Sequence, residues 1–123
     1  MIRKFVMTEL FDSSWKEHKL TDDNLRQLQA NLLRNPKAGD VLQGTGGFRK
    51  VRYAPERHGK SGGLRVAYLD IPEFETLYLM LAFPKSKKSN LSNAECNELR
   101  KISLSIKKNL HENNRKGKSL WQS

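Results

Sequence analysis

The chain has 123 residues, 37% hydrophobic and 29% charged, with a formal charge of +10. That composition excludes a disordered chain, and the length suits one domain with a real core. The lone Cys96 excludes an intramolecular disulfide, and the longest apolar run, Leu77 to Phe83, is too short to span a bilayer.

No apolar stretch follows the first charges of Met1-Ile2-Arg3-Lys4-Phe5, so no signal peptide is expected. A cytoplasmic protein with an anionic partner is the expectation. Residues 2 to 9 alternate loosely and predict a first strand. Phe11 and Trp15, four apart, predict a short helix over 10 to 18 that buries both rings on one face. Thr21 reads as an N-cap, with Asp22 and Asp23 in the first turn. Leu25, Leu28, Leu32 and Leu33 then make one helical stripe, which Asn35-Pro36 ends.

Gly44-Thr45-Gly46-Gly47 predicts a tight turn. It lacks the Gly-Lys-Ser/Thr ending of a phosphate-cradling loop and leads into a strand, not a helix. The stretch from Gly44 to Tyr68 holds six of the 23 Lys/Arg residues and a single acid, Glu56. Its cations alternate with apolar residues in Phe48-Arg49-Lys50-Val51-Arg52-Tyr53 and in Leu64-Arg65-Val66-Ala67-Tyr68. Period-two alternation predicts two half-buried strands that hold their cations on a displayed face. Val51 and Tyr53 fall on one side of the first, Lys50 and Arg52 on the other. Arg49 shares the side of Val51, and so either braces the fold or contacts RNA.

Ile71-Pro72-Glu73 turns the chain into Thr76 to Phe83, which reads as a well-buried strand. Three strands joined by short connections imply an antiparallel meander. Ser92-Asn93-Ala94-Glu95 matches a capping box, and Leu99, Ile102, Ile106 and Leu110 give the last helix its stripe. The expected architecture is α+β, in the order β-α-α-β-β-β-α, with a small antiparallel sheet packed against helices. Residues 1–113 form the domain, and the basic residues 114–123 a loose tail.

His18, His58 and His111 are scattered and Cys96 lies in a helix, so no metal or cofactor site is expected. What remains is the cationic set. Lys50 and Arg52 on one strand, Arg65 on the next, Lys60 between them and Lys85, Lys87 and Lys88 after the third could converge on one patch. Arg57 and His58 lie in the same basic loop as Lys60, and an imidazole can move protons near neutral pH. Phe83 can stack a base but cannot move a proton. A nucleic-acid backbone is the partner such a face fits.

Three short stretches resemble the HigB branch of the RelE/ParE toxin superfamily. They are Gly44 through Arg52, Lys60 through Val66, and Phe83-Pro84-Lys85 with Asn90-Leu91-Ser92. They occur in the family's order, and the likeness extends to about Asn113. The resemblance implies a microbial-RNase-like fold and a toxin of a type II toxin–antitoxin pair. Its activity would be ribosome-dependent cleavage of translated mRNA in the A site, by metal-free attack of a ribose 2′-hydroxyl on the adjacent phosphate, which halts translation and growth.

Under that resemblance Lys50 and Arg52 flank the scissile phosphate and Arg65 clamps the transition state. Lys60 and Lys85 place substrate or transfer a proton. Arg49, Arg57, His58, Phe83, Lys87 and Lys88 contact RNA. The implied partners are a helix-turn-helix, HigA-like antitoxin and the 70S ribosome, with a monomer when free and no membrane. Several relatives carry a Tyr or His-rich site near the C-terminal end of the domain. Here Ser92 falls near that point and no Tyr follows Tyr78, so the general acid is unassigned. The competing readings are a ParE-like gyrase inhibitor and a noncatalytic basic domain that binds RNA or the ribosome.

Overall fold

The computed structural model describes residues 2–55, 63–84 and 91–122, with side chains of the final helix described through Asn114. The elements are β1 (Lys4–Met7), α1 (Glu9–Glu17), α2 (Asp22–Arg34), β2 (Asp40–Val41), β3 (Arg49–Tyr53), β4 (Leu64–Ile71), β5 (Thr76–Pro84) and α3 (Asn93–Gln122). The strands form one five-stranded sheet in the order β1-β5-β4-β3-β2. Strands β3, β4 and β5 make the expected antiparallel meander.

Two pairings enlarge that meander. Strand β1 adds in parallel beside β5, so the sheet is mixed and not wholly antiparallel. The two-residue β2 pairs with β3, Asp40 opposite Lys50 and Val41 opposite Arg49. Neither pairing has a local signal: one joins residues far apart in the chain, and the other is shorter than a period can register.

Helices cover both faces of the sheet. One face packs Val66, Tyr68, Leu77 and Leu79 against Phe11, Trp15, Leu28 and Leu32 of α1 and α2. The other packs Phe48, Ala67, Leu69, Ile71 and Met80 against Leu99, Ile106 and Leu110 of α3. Burial on both sides is why β4 and β5 read as nearly continuous apolar runs.

Caps set the helix starts, at Thr21 and Ser92 as the sequence predicts and also at Thr8. The Thr8 hydroxyl accepts from Phe11 N at 3.0 Å, and Thr21 Oγ1 accepts from Asn24 N at 3.1 Å. At the third start Ser92 N donates to Glu95 Oε1 at 2.9 Å, and Glu95 N to Ser92 Oγ at 3.2 Å. The backbone of α3 stays helical to Gln122, through the segment expected to form a tail. A shielded ion pair fastens the entry to β1: Arg3 Nε and a second guanidinium nitrogen reach Asp70 of β4 at 2.7 and 3.2 Å. That bond is the main cause of an Arg3 pKa above its ordinary value.

The β4–β5 ladder contains one irregularity. Ala67 pairs with Leu81 but Tyr68 pairs with Leu79, so Met80 is an extra residue in β5. A bulge of this kind reverses which side chains face which side of the strand beyond it.

Candidate functional site

Residues directly opposite in an antiparallel pair point to the same face of the sheet. The register therefore builds the site row by row. Arg52 of β3 pairs with Arg65 of β4, and Arg65 pairs with Phe83 of β5. In the adjacent row, Asp40 pairs with Lys50, Lys50 with Ala67, and Ala67 with Leu81. Ala67, Leu81 and Phe83 all belong to the apolar layer on the α3 side, so both rows lie on that face. Same-face rows are separated by about 7 Å along a strand.

Three predicted cations thus share a surface with an aromatic ring. Arg52 is exposed, while Lys50, Arg65 and Phe83 are half-buried. Such a surface can hold a phosphate between guanidinium forks and support a base next to it. Asp40 joins the face as the cross-strand neighbour of Lys50, which no sequence pattern indicated. Lys60, Lys85, Arg57, His58, Lys87 and Lys88 lie outside the described residues.

Arg49 stands on the opposite face, as its parity with Val51 predicts, and makes a backbone contact there. A guanidinium nitrogen donates to Gly39 O at 2.7 Å. Its cross-strand neighbour Tyr68 is fully buried, donating to Pro36 O at 2.7 Å and accepting from Gly39 N at 3.0 Å. A Cβ at Gly39 would lie 2.7 Å from the Lys50 carbonyl oxygen and 2.9 Å from a Tyr68 ring carbon. The segment between α2 and β2 is thereby pinned to the backbone that carries Lys50.

Burial pushes the Tyr68 phenol above its usual pKa, opposed by its bond from Gly39 and by nearby Arg49. The folded chain therefore holds this proton to higher pH than the unfolded chain. The associated stability is complete below the ordinary tyrosine value of about 10 and is lost as pH rises through the folded value. Tyr68→Phe should flatten that alkaline loss in denaturant titrations. At neutral pH it should cost about 1–3 kcal/mol, because Pro36 O and Gly39 N lose a buried partner.

The glycine turn before β3 is committed to packing. Gly44, Gly46 and Gly47 all have positive φ. The Gly46 carbonyl accepts from Ser103 Oγ at 2.7 Å and Lys107 Nζ at 3.2 Å, both on α3. A Cβ at Gly46 would meet Ser103 at 2.9 Å. The turn seats the last helix against the strand that carries Lys50 and Arg52.

Among the described residues no cluster of His, Cys, Asp and Glu is arranged to hold a metal ion. Among them, too, no helix is long and apolar enough to cross a membrane.

A family model described as the RelE toxin of the RelE/RelB toxin–antitoxin system matches residues 3–118. The chain belongs to the RelE toxin family. Among solved structures, a double arginine-to-alanine mutant of the E. coli toxin RelE in the free state is similar at 22% identity and a TM-score of 0.46. That likeness covers 69% of this chain and 85% of the E. coli one. The RelE family match takes in every cation named above and runs past Asn113 to Lys118.

Proposed function

We propose that this RelE-family toxin is a ribosome-dependent endoribonuclease of the HigB type, cutting translated mRNA in the A site without a metal. The observation that carries the reading is the row Arg52–Arg65–Phe83 beside Lys50 on one sheet face. Attack of a 2′-hydroxyl on the neighbouring phosphate builds negative charge in a pentavalent transition state. Cations held rigidly by strands stabilise that charge more than the ground state, and so raise the rate.

In this mechanism Arg65, on the middle strand, clamps the developing phosphorane, with Lys50 and Arg52 on either side of the scissile phosphate. Phe83 holds the adjoining base. Lys60 and Lys85 place substrate or move a proton, while Arg57, His58, Lys87 and Lys88 add contacts to RNA. Arg49, held on Gly39, contributes by bracing the strand that carries Lys50.

Family membership implies a cognate antitoxin, and we take that partner to be a helix-turn-helix protein of the HigA kind. It also implies involvement with the ribosome, which in this proposal the toxin approaches as a cytoplasmic monomer. The net charge of +10 suits an rRNA surface, so association with 70S ribosomes should weaken steeply as salt is raised.

The test is to induce the toxin in growing cells and map mRNA 5′ ends, alongside a Lys50→Ala/Arg52→Ala double variant. Cuts confined to translated regions and lost in the variant are the expected result. DNA damage without transcript cuts would point to gyrase. A variant that cuts normally would overturn the assignment of this face.

A further inference from the structure

Strict alternation along β5 would put Leu77, Leu79, Leu81 and Phe83 on one face. Leu77 and Leu79 do pack against α1 and α2. Leu81 and Phe83 pack on the α3 side instead, because Met80 is the extra residue in the ladder. Phe83 therefore reaches the cationic face only by virtue of the bulge.

The edge of β5 that faces β1 shows what holds this bulge. Strand β1 ends at Met7, opposite Leu79. Beyond that point α1 takes over the hydrogen bonding. Thr8 N donates to Leu79 O at 3.2 Å, and Thr8 Oγ1 donates to Met80 O at 2.8 Å. Ser14 Oγ accepts from Ala82 N at 3.0 Å and donates to Phe11 O at 2.9 Å. Two hydroxyls, one on the cap of α1 and one within it, thus hold the peptide groups on either side of Leu81, directly after the extra residue. Ser14 and Ala82 are both buried, so the bond between them cannot be replaced by solvent.

We infer that Thr8 and Ser14 are positioning residues for an RNA-base platform at Phe83, acting through the β5 bulge. The inference rests on the reading of this face as the site of RNA cleavage. Without the two hydroxyls the bulge loses its partners on the β1 side, and β5 can relax toward plain alternation. Phe83 then turns away from Arg65 and the unpaired base loses its stack.

The experiment uses the full chain on 70S ribosomes. The A-site codon carries the fluorescent base 2-aminopurine and is blocked at the 2′ position against cleavage. Stacking quenches the probe. Phe83→Ala should reduce the quenching and weaken toxin binding by roughly tenfold. Ser14→Ala should shift both readouts in the same direction, with faster amide exchange at Ala82. The Phe83→Ala/Ser14→Ala double variant should be no worse than Phe83→Ala alone, since both remove one stack.

A Leu28→Ala control, destabilised in the core beneath α2, should leave quenching unchanged. If Ser14→Ala is recovered unfolded, Thr8→Val carries the same test at similar volume, removing the partner of the Met80 carbonyl. Additive effects of Ser14 and Phe83, or a folded Ser14→Ala that quenches like the parent, would overturn the inference. If Arg52→Ala and Arg65→Ala also cleave unblocked A-site mRNA at the parental rate, the cleavage-site reading itself has failed. If those two slow cleavage while Phe83→Ala binds and quenches like the parent, only the platform has.

Discussion

Arg65→Ala is expected to slow cleavage of A-site mRNA by about 10² to 10³-fold in single-turnover assays on 70S ribosomes, by analogy with loss of one oxyanion-hole donor. Arg65 sits on the central strand, flanked by Arg52 on one side and Phe83 on the other. On the proposed function, a charge placed there meets the phosphorane wherever the flanking groups hold the RNA. If its role is confined to the transition state, the loss falls on the maximal rate and leaves apparent affinity nearly unchanged. Arg65→Lys should recover only part of the rate, since an ammonium cannot make the paired contacts of a guanidinium fork. Circular dichroism should match the parent, as Arg65 belongs to neither apolar core. A parental cleavage rate in a folded Arg65→Ala protein would remove Arg65 from the mechanism.

The largest stability effect is expected at Trp15. Its ring stacks on Phe11 at 5.2 Å between centroids and leans on Tyr53 of β3 at 5.6 Å. The indole N–H donates to Thr21 O at 3.1 Å, at the residue that caps α2. One side chain thus joins α1, the start of α2 and the sheet, and it is only 4% exposed. Trp15→Ala should cost about 3–5 kcal/mol, combining a large cavity with loss of the indole hydrogen bond to a carbonyl that keeps only its bond from Leu25 N. Urea denaturation measures this directly. Trp15→Phe should lose less, because it keeps most of the volume and forfeits the hydrogen bond. A Trp15→Ala protein as stable as the parent would mean that the contact between the helical layer and β3 is not what holds them together.

Much of this molecule is legible in the chain. Thr21, Ser92 and the helical stripes act within a few residues of one another, so their effects survive being read in isolation. The same holds for the alternation around Lys50 and Arg52, since a half-buried strand must separate its apolar and charged side chains. Arg49 was readable too: its parity with Val51 places it away from the other cations, where it holds the Gly39 carbonyl.

The remaining features depend on partners distant in sequence. Strand β1 lies beside β5 only because both edges of the meander become available once it folds. Asp40 comes next to Lys50 through a two-residue pairing. The glycine turn could be anticipated as a turn, but not that its Gly46 carbonyl would be taken up by Ser103 and Lys107 of α3. Phe83 is the sharpest case: its alternation assigns it to one face and the bulge at Met80 delivers it to the other.

By itself, then, the sequence determined the helices, the basic strands and the side of β3 on which Lys50 and Arg52 stand. These are consequences of period and capping, which involve only near neighbours. The tertiary structure decided that Arg52, Arg65 and Phe83 form one row, with Asp40 and Lys50 in the next. Register and bulges are settled by hydrogen bonds between segments far apart in the chain, and a one-residue shift in either exchanges the two faces.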